Sequence, residues 1–361
     1  MNRTPRYGRH LEEFEIGATY QHPWDVTIDG GHIAVFQASF LDATPTYASA
    51  RYARVLGFRD RPVHPLLLLN LGLSFSVHDV SEQAIAHLAY IDVKFPEPCY
   101  PGDSVRAWST VLGSKKASEG NRGVAHVRTV LRNDRDEVVC QFERKVLVKA
   151  GGHMADRPMP PPSVVMSPDP ARVCPAVLER RFDADALGVG FAGFFEDFAP
   201  GDVICHDVGK TVGESEHMQL TYLMRNTHPL HFEEPYAKTG FAKTRVVYGG
   251  LVFGWIASLA SRDTTGNVVW DFGFDRGAHP SGVVAGDTLY AASKVLAAES
   301  LNDQFGKVTF RLVGTKNSKP GILLHNGGDL FTDELSKQPD QKIPQKVFEI
   351  DRTVLMRKKP R

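Results

Sequence analysis

Two stretches of the chain are apolar on nearly every side. Residues 65–77 read PLLLLNLGLSFSV and residues 249–261 read GGLVFGWIASLAS; such all-round apolarity predicts two fully buried helices. A shorter helix is expected ahead of each, at 31–41 and at 215–225, the second with Ser215 as N-cap and Glu216 in its first turn. After the first buried helix come segments rich in β-branched residues, at 88–95, 104–112, 124–132 and 138–148, which read as strands. Several antiparallel strands following one apolar helix predict a sheet wrapped around that helix, an α+β arrangement.

The pattern occurs twice. Glu12-Glu13-Phe14 matches Glu196-Asp197-Phe198, His22 matches His206, Pro45 matches Pro229, and Gly102-Asp103 matches Gly286-Asp287, every pair 184 residues apart. The register slips near Gly123, and an insertion around residues 316–345 displaces the last strand. One long period repeated once indicates a duplicated domain. The proline-dense stretch at 156–178 is the expected connector, between an N-terminal domain at 1–155 and a C-terminal domain at 179–361.

Composition narrows the possibilities. Forty-two basic residues balance forty-two acidic ones, which argues against a broad nucleic-acid surface. Cys99, Cys140, Cys174 and Cys205 show no metal-ligand spacing, so they read as reduced thiols of a cytoplasmic protein and no metal is expected. The first residues lack the apolar core of a signal peptide, and no apolar run is long enough to cross a bilayer. Gly188, Gly190 and Gly193 fit G-x-G-x-x-G literally, but no strand precedes them and Pro200 follows closely, so a dinucleotide site is not expected.

The candidate chemistry sits between the short and the long helix of the second copy. Asn226 and His231 flank Pro229 in N-T-H-P-L-H, and Tyr248-Gly249-Gly250 opens the apolar helix. Free N–H groups at such a helix start can hold a developing oxyanion, and a near-neutral histidine can move a proton or orient water. The first copy reads D-A-T-P-T-Y from Asp42 to Tyr47, then His64-Pro65. Proline has no N–H to donate, which places the reaction centre in the second copy.

On these residues the chain resembles the MaoC-like (R)-specific enoyl-CoA hydratases, whose motif Asp-x-Asn-Pro-x-His precedes a His-Gly pair at the central helix. Two fused copies resemble the double-hotdog members, and nearly the whole chain resembles the mesaconyl-CoA (β-methylmalyl-CoA) hydratases. The resemblance implies a double hotdog fold and a hydro-lyase acting on an acyl-CoA, with no cofactor beyond the CoA of the substrate. Its rivals are a thioesterase and a non-catalytic acyl-CoA-binding protein. Catalytic roles fall to Asn226, His231 and Gly249. Asn226 departs from the motif's aspartate, so a carboxylate is sought at Glu214, Glu216, Glu233, Glu234 or Asp42. Tyr248 and Gly250 are expected at the substrate. Arg225 or Arg276 is expected to meet a free carboxylate, and Lys243 or Arg245 the CoA phosphates. A homodimer is the expected assembly.

Overall fold

The computed structural model describes residues 7–151, 175–179, 182–183, 185–187 and 193–360. Most of the expected connector, Cys174, and Gly188 and Gly190 of the glycine run lie outside these residues.

In the first half, β1 (Thr19–Thr27) leads to helices α1 (Gly30–Phe40), α2 (Pro45–Ala48), α3 (Ala50–Val55) and α4 (Pro65–Phe75). Strands β2 (Ala84–Lys94), β3 (Ser104–Lys116), β4 (Arg122–Arg132) and β5 (Val138–Lys149) follow. The second half repeats this with β6 (Val203–Thr211), α5 (Glu214–Leu223), α6 (Glu234–Ala237), α7 (Gly249–Thr264), β7 (Val268–Ala278), β8 (Thr288–Ser300) and β9 (Phe305–Lys316). It closes with α8 (Pro320–His325), which lies in the insertion, and β10 (Lys346–Arg357).

All ten strands join one antiparallel sheet in the order β1-β3-β4-β5-β2-β7-β10-β9-β8-β6. The order reads the same from either end once each strand is replaced by its duplicate. The seam is β2 against β7, with Tyr90 opposite Gly277 and Val93 opposite Phe274. Gly273 closes that seam at φ 153°, where a Cβ would stand 1.8 Å from the Val93 carbonyl oxygen, so a side chain would force the strands apart.

Helix α4 packs on β1, β3, β4 and β5, and α7 on β6, β8, β9 and β10. The two helices also touch, which explains why α4 is buried along its whole length and needs no polar face. At their crossing a Cβ on Gly250 would come within 1.8 Å of Asn70 Oδ1, while Asn70 Nδ2 donates to the carbonyls of Leu66 (2.8 Å) and Gly250 (3.3 Å). Each half also ties its first strand to its central helix or to the turn that follows it. His22 bridges Asp79 (2.9 Å) and Ser109 (2.7 Å), and His206 bridges Asp263 (2.6 Å) and Ser293 (3.0 Å).

Three local expectations are corrected. The N-cap of α5 is Gly213, whose N–H donates to the Glu216 carboxylate (3.2 Å), because the helix begins one residue before Ser215. Strand β2 starts at Ala84, ahead of the β-branched residues that suggested it. After α4 the chain makes a π-helical turn, Val77–Ser81, whereas α7 continues as α-helix to Thr264. Cys99 and Cys140 are buried and Cys205 half-buried, all as free thiols.

Candidate active site

A cavity of about 130 Å³ opens at the N-terminus of α7 and extends under the seam to β2 and β5 of the first half. Asn226, His228, His231, Tyr248, Gly249 and His279 reach it from the second half; His87, Tyr90 and Arg144 reach it from the first. The motif residues are thus brought together, and the first half completes their walls.

Local chemistry fixes each group. Asn226 Oδ1 accepts the His228 N–H (2.9 Å), the bond that Asp42 Oδ1 accepts from the Thr44 N–H (2.8 Å) in the first copy. Asparagine therefore builds the same turn as aspartate. With its oxygen engaged, the amide NH₂ remains as the donor, and it faces the Tyr248 hydroxyl. Pro229 starts a short 3-10 turn that carries His231. His231 Nδ1 lies 2.8 Å from the Val246 carbonyl oxygen, so Nδ1 bears the proton and Nε2 its lone pair. Burial, reinforced by His228 nearby, pushes the His231 pKa down to about 3, which keeps the ring neutral with an unprotonated Nε2.

Gly249 occupies the first position of α7, where N–H groups have no partner within the helix and the macrodipole is positive. A Cβ at Gly249 would lie 2.8 Å from His279 Nε2. That ring is fixed by the Tyr90 hydroxyl (3.1 Å) and the Val347 carbonyl, and burial lowers its pKa to about 4. Burial likewise lowers His228 to about 4 and raises Tyr248 to about 12, so the cavity's imidazoles and this phenol are all neutral at physiological pH.

The corresponding region of the first copy is closed. Tyr47, the counterpart of His231, is buried, and its hydroxyl accepts the Asp271 N–H (3.1 Å). Its ring lies against His64 and Trp270. Burial would raise the Asp42 pKa, but His64, 3.5 Å away, holds that carboxylate well below its usual range. Asp42 therefore serves this closed cluster and does not reach the cavity. Glu214 and Glu234 pair with Arg245, Glu216 with Lys210 (2.7 Å), and Glu233 is exposed. Among the described residues no carboxylate lines the cavity, so the acid sought in place of Asn226 is not supplied.

The expected cations are elsewhere. Arg225 is exposed at the left-handed residue ending α5 (φ 62°), beside Trp24, and lines a separate groove. Arg276 points outward from β7 to Asp333 (2.8 Å) and Asp351 (3.2 Å). Neither is placed to meet a carboxylate in the cavity. Arg245 is engaged by Glu214 and Glu234, and Lys243 is exposed. What the sequence reading missed is Arg144, together with His87, Tyr90, His228 and His279. A signal existed for Arg144: it interrupts the inward row Val138, Cys140, Phe142, Val146, Val148 of β5.

Two fused copies, each a sheet wrapped on a buried central helix, make this a MaoC-like double hotdog. A solved MaoC-domain dehydratase from Chloroflexus aurantiacus matches with TM-score 0.81 and 28% identity over 98% of both chains. A double-hotdog protein from Mycobacterium tuberculosis matches in fold with TM-score 0.72 at 20% identity, over 96% of this chain and 98% of that one. The family model for mesaconyl-CoA hydratase matches residues 2–156. The mesaconyl-CoA hydratase of Cereibacter sphaeroides is 33% identical over 86% of this chain and 90% of its own. The β-methylmalyl-CoA dehydratase of Chloroflexus aurantiacus is 31% identical over 88% and 91%. The chain belongs to the mesaconyl-CoA hydratase family.

Proposed function

We propose that this protein is a hydro-lyase that interconverts mesaconyl-CoA and β-methylmalyl-CoA. The observation that carries the reading is His231 Nε2, an unprotonated acceptor lining the same cavity as the free N–H groups that open α7. In hydration the Gly249 N–H holds the thioester oxygen and makes the β-carbon electrophilic. The Asn226 amide donates to the attacking water's oxygen, and His231 Nε2 takes one water proton as the C–O bond forms. The electron pair of the alkene moves through the α-carbon to the thioester oxygen as an enolate. The imidazolium then returns the proton to the α-carbon and the carbonyl re-forms. Dehydration runs the same steps backwards. The scheme uses no metal or redox cofactor; the CoA belongs to the substrate, and exposed Lys243 is the cation proposed for its phosphates. β1 and β6 are the free edges of the sheet, which suits a cytoplasmic homodimer; light scattering of the purified chain tests the assembly.

The functional test follows the conjugated-thioester absorbance of mesaconyl-CoA and crotonyl-CoA in parallel, with a free-thiol trap present. Fast loss with mesaconyl-CoA and no thiol is the expected result. Thiol release would assign a thioesterase, and binding without turnover an acyl-CoA-binding protein.

A further inference from the structure

Arg144 is a buried cation, 3% exposed, on the wall of the reaction cavity. Its Nη2 donates to the hydroxyls of Ser76 (2.7 Å) and Ser81 (3.4 Å), which the π-helical turn after α4 holds beside it. Its Nε is buried without a partner, and no carboxylate among the described residues pairs with it. A buried charge in this state is costly unless a counter-charge arrives; burial has already pushed its pKa down to about 10.

The duplication provides an internal control. Arg352 is the mate of Arg144, since Tyr90 lies opposite Arg144 across β2–β5 as Phe274 lies opposite Arg352 across β7–β10. Arg352 is neutralised by a forked pair to Asp271, at 2.7 and 3.1 Å. The residue matching Asp271 is His87, opposite Val146 as Asp271 is opposite Val354. His87 carries no charge to offset Arg144: burial, with Arg144 adding to it, drives its pKa well down. Both its ring nitrogens are buried without partners. In one half the arginine has its carboxylate built in; in the other it has a cavity.

We infer that Arg144, contributed by the half without the reaction centre, receives the free carboxylate of the acyl chain in the space that Asp271 fills beside Arg352. The inference rests on the hydratase reading and names the group that makes the site selective for a dicarboxylic substrate. His87 has one N–H in either tautomer and is placed to donate to the same carboxylate. Guanidinium recognition of a carboxylate is planar and forked, so lysine cannot replace it fully.

The test compares dissociation constants for mesaconyl-CoA and 2-methylcrotonyl-CoA, which differ only by a methyl in place of the carboxylate. Wild type is expected to prefer the dicarboxylate, and Arg144→Gln to reduce that preference by roughly 100-fold or more. His87→Asp would give Arg144 an internal partner; the same loss of preference is expected, with a thermal midpoint at or above wild type. An unchanged preference in either folded variant overturns the assignment, as does a wild type without preference. If Arg144→Gln does not fold, His87→Asp decides alone. A wild type that binds mesaconyl-CoA selectively but never hydrates it sinks the hydratase reading and leaves the Arg144 assignment standing.

Discussion

Substituting Gly249 by proline and by alanine isolates the contribution of one N–H. Both replacements put a Cβ 2.8 Å from His279 Nε2. Only proline also removes the donor. The backbone accepts either residue: Tyr248 has φ −57°, ψ 126°, and His64, which already precedes Pro65 at the matching place, has φ −59°, ψ 132°. Proline at the first helical position is favourable in general, and an extended preceding residue is what it requires. Crowding against His279 is shared by the two variants and costs about 1–3 kcal/mol. Loss of the oxyanion donor adds about 3 kcal/mol to the barrier for proline alone, so kcat for Gly249→Pro should fall roughly 100-fold below that of Gly249→Ala. The assay is steady-state hydration of mesaconyl-CoA, with circular dichroism and thermal melts on both proteins. Equal kcat values in two folded variants would refute the Gly249 N–H as the oxyanion donor.

Further outcomes follow from the neighbouring groups. Asn226→Ala removes an amide donor facing Tyr248 and the acceptor for the His228 N–H; kcat should drop by about 10-fold or more, and turnover within a few-fold of wild type would reduce Asn226 to a turn residue. Asp271→Asn breaks the buried pair with Arg352, which the second half contributes to the closed site around Tyr47. It should cost about 3–5 kcal/mol in urea unfolding with kcat nearly unchanged, and a marked fall in kcat would mean the closed site takes part in chemistry. His228, His231 and His279 have folded pKa values of about 4, 3 and 4, below the ordinary value of about 6.5. Unfolding therefore takes up protons, so stability is full above pH 6.5 and falls as pH drops towards 4. The slope reaches at most about 1.4 kcal/mol per pH unit for each ring; unfolding free energies that stay level between pH 7 and 5 would contradict the buried neutral rings.

Much of this fold was legible because its signals are local. The apolar runs marked α4 and α7 to within a few residues, and the spacing of 184 marked a duplication, which the structure shows as a strand order that mirrors itself about β2 and β7. The residues picked out around Gly249 line one cavity, whose other wall comes from His87, Tyr90 and Arg144 of the first half. Side-chain pairing was not legible in the same way. Arg276 and Arg245 look like free cations in the chain, yet Asp333, Asp351, Glu214 and Glu234 reach them from distant elements. The choice between a paired and an unpaired arginine depends on what the facing strand presents, and strand register is a tertiary fact. The π-helical turn that supplies Ser81 to Arg144 is equally silent in composition.

The pairing difference also shows why duplication suits this chemistry. A site selective for a dicarboxylate needs a buried cation with no partner before substrate arrives, and that arrangement lowers stability. In this fold the cost is confined to one of two equivalent positions. Arg352 completes its ion pair with Asp271 within the protein, and Asp42 lies 3.5 Å from His64, beside the rings of Tyr47 and Trp270. The closed site can therefore anchor β7 and β10 firmly, and β7 forms the seam with β2. A single residue on β2, His87 where its duplicate has Asp271, separates the two outcomes. Placing aspartate at both positions should give a more stable protein with no preference for a dicarboxylic thioester; placing histidine at both should leave Arg352 without its carboxylate as well and cost about 3–5 kcal/mol, as Asp271→Asn does.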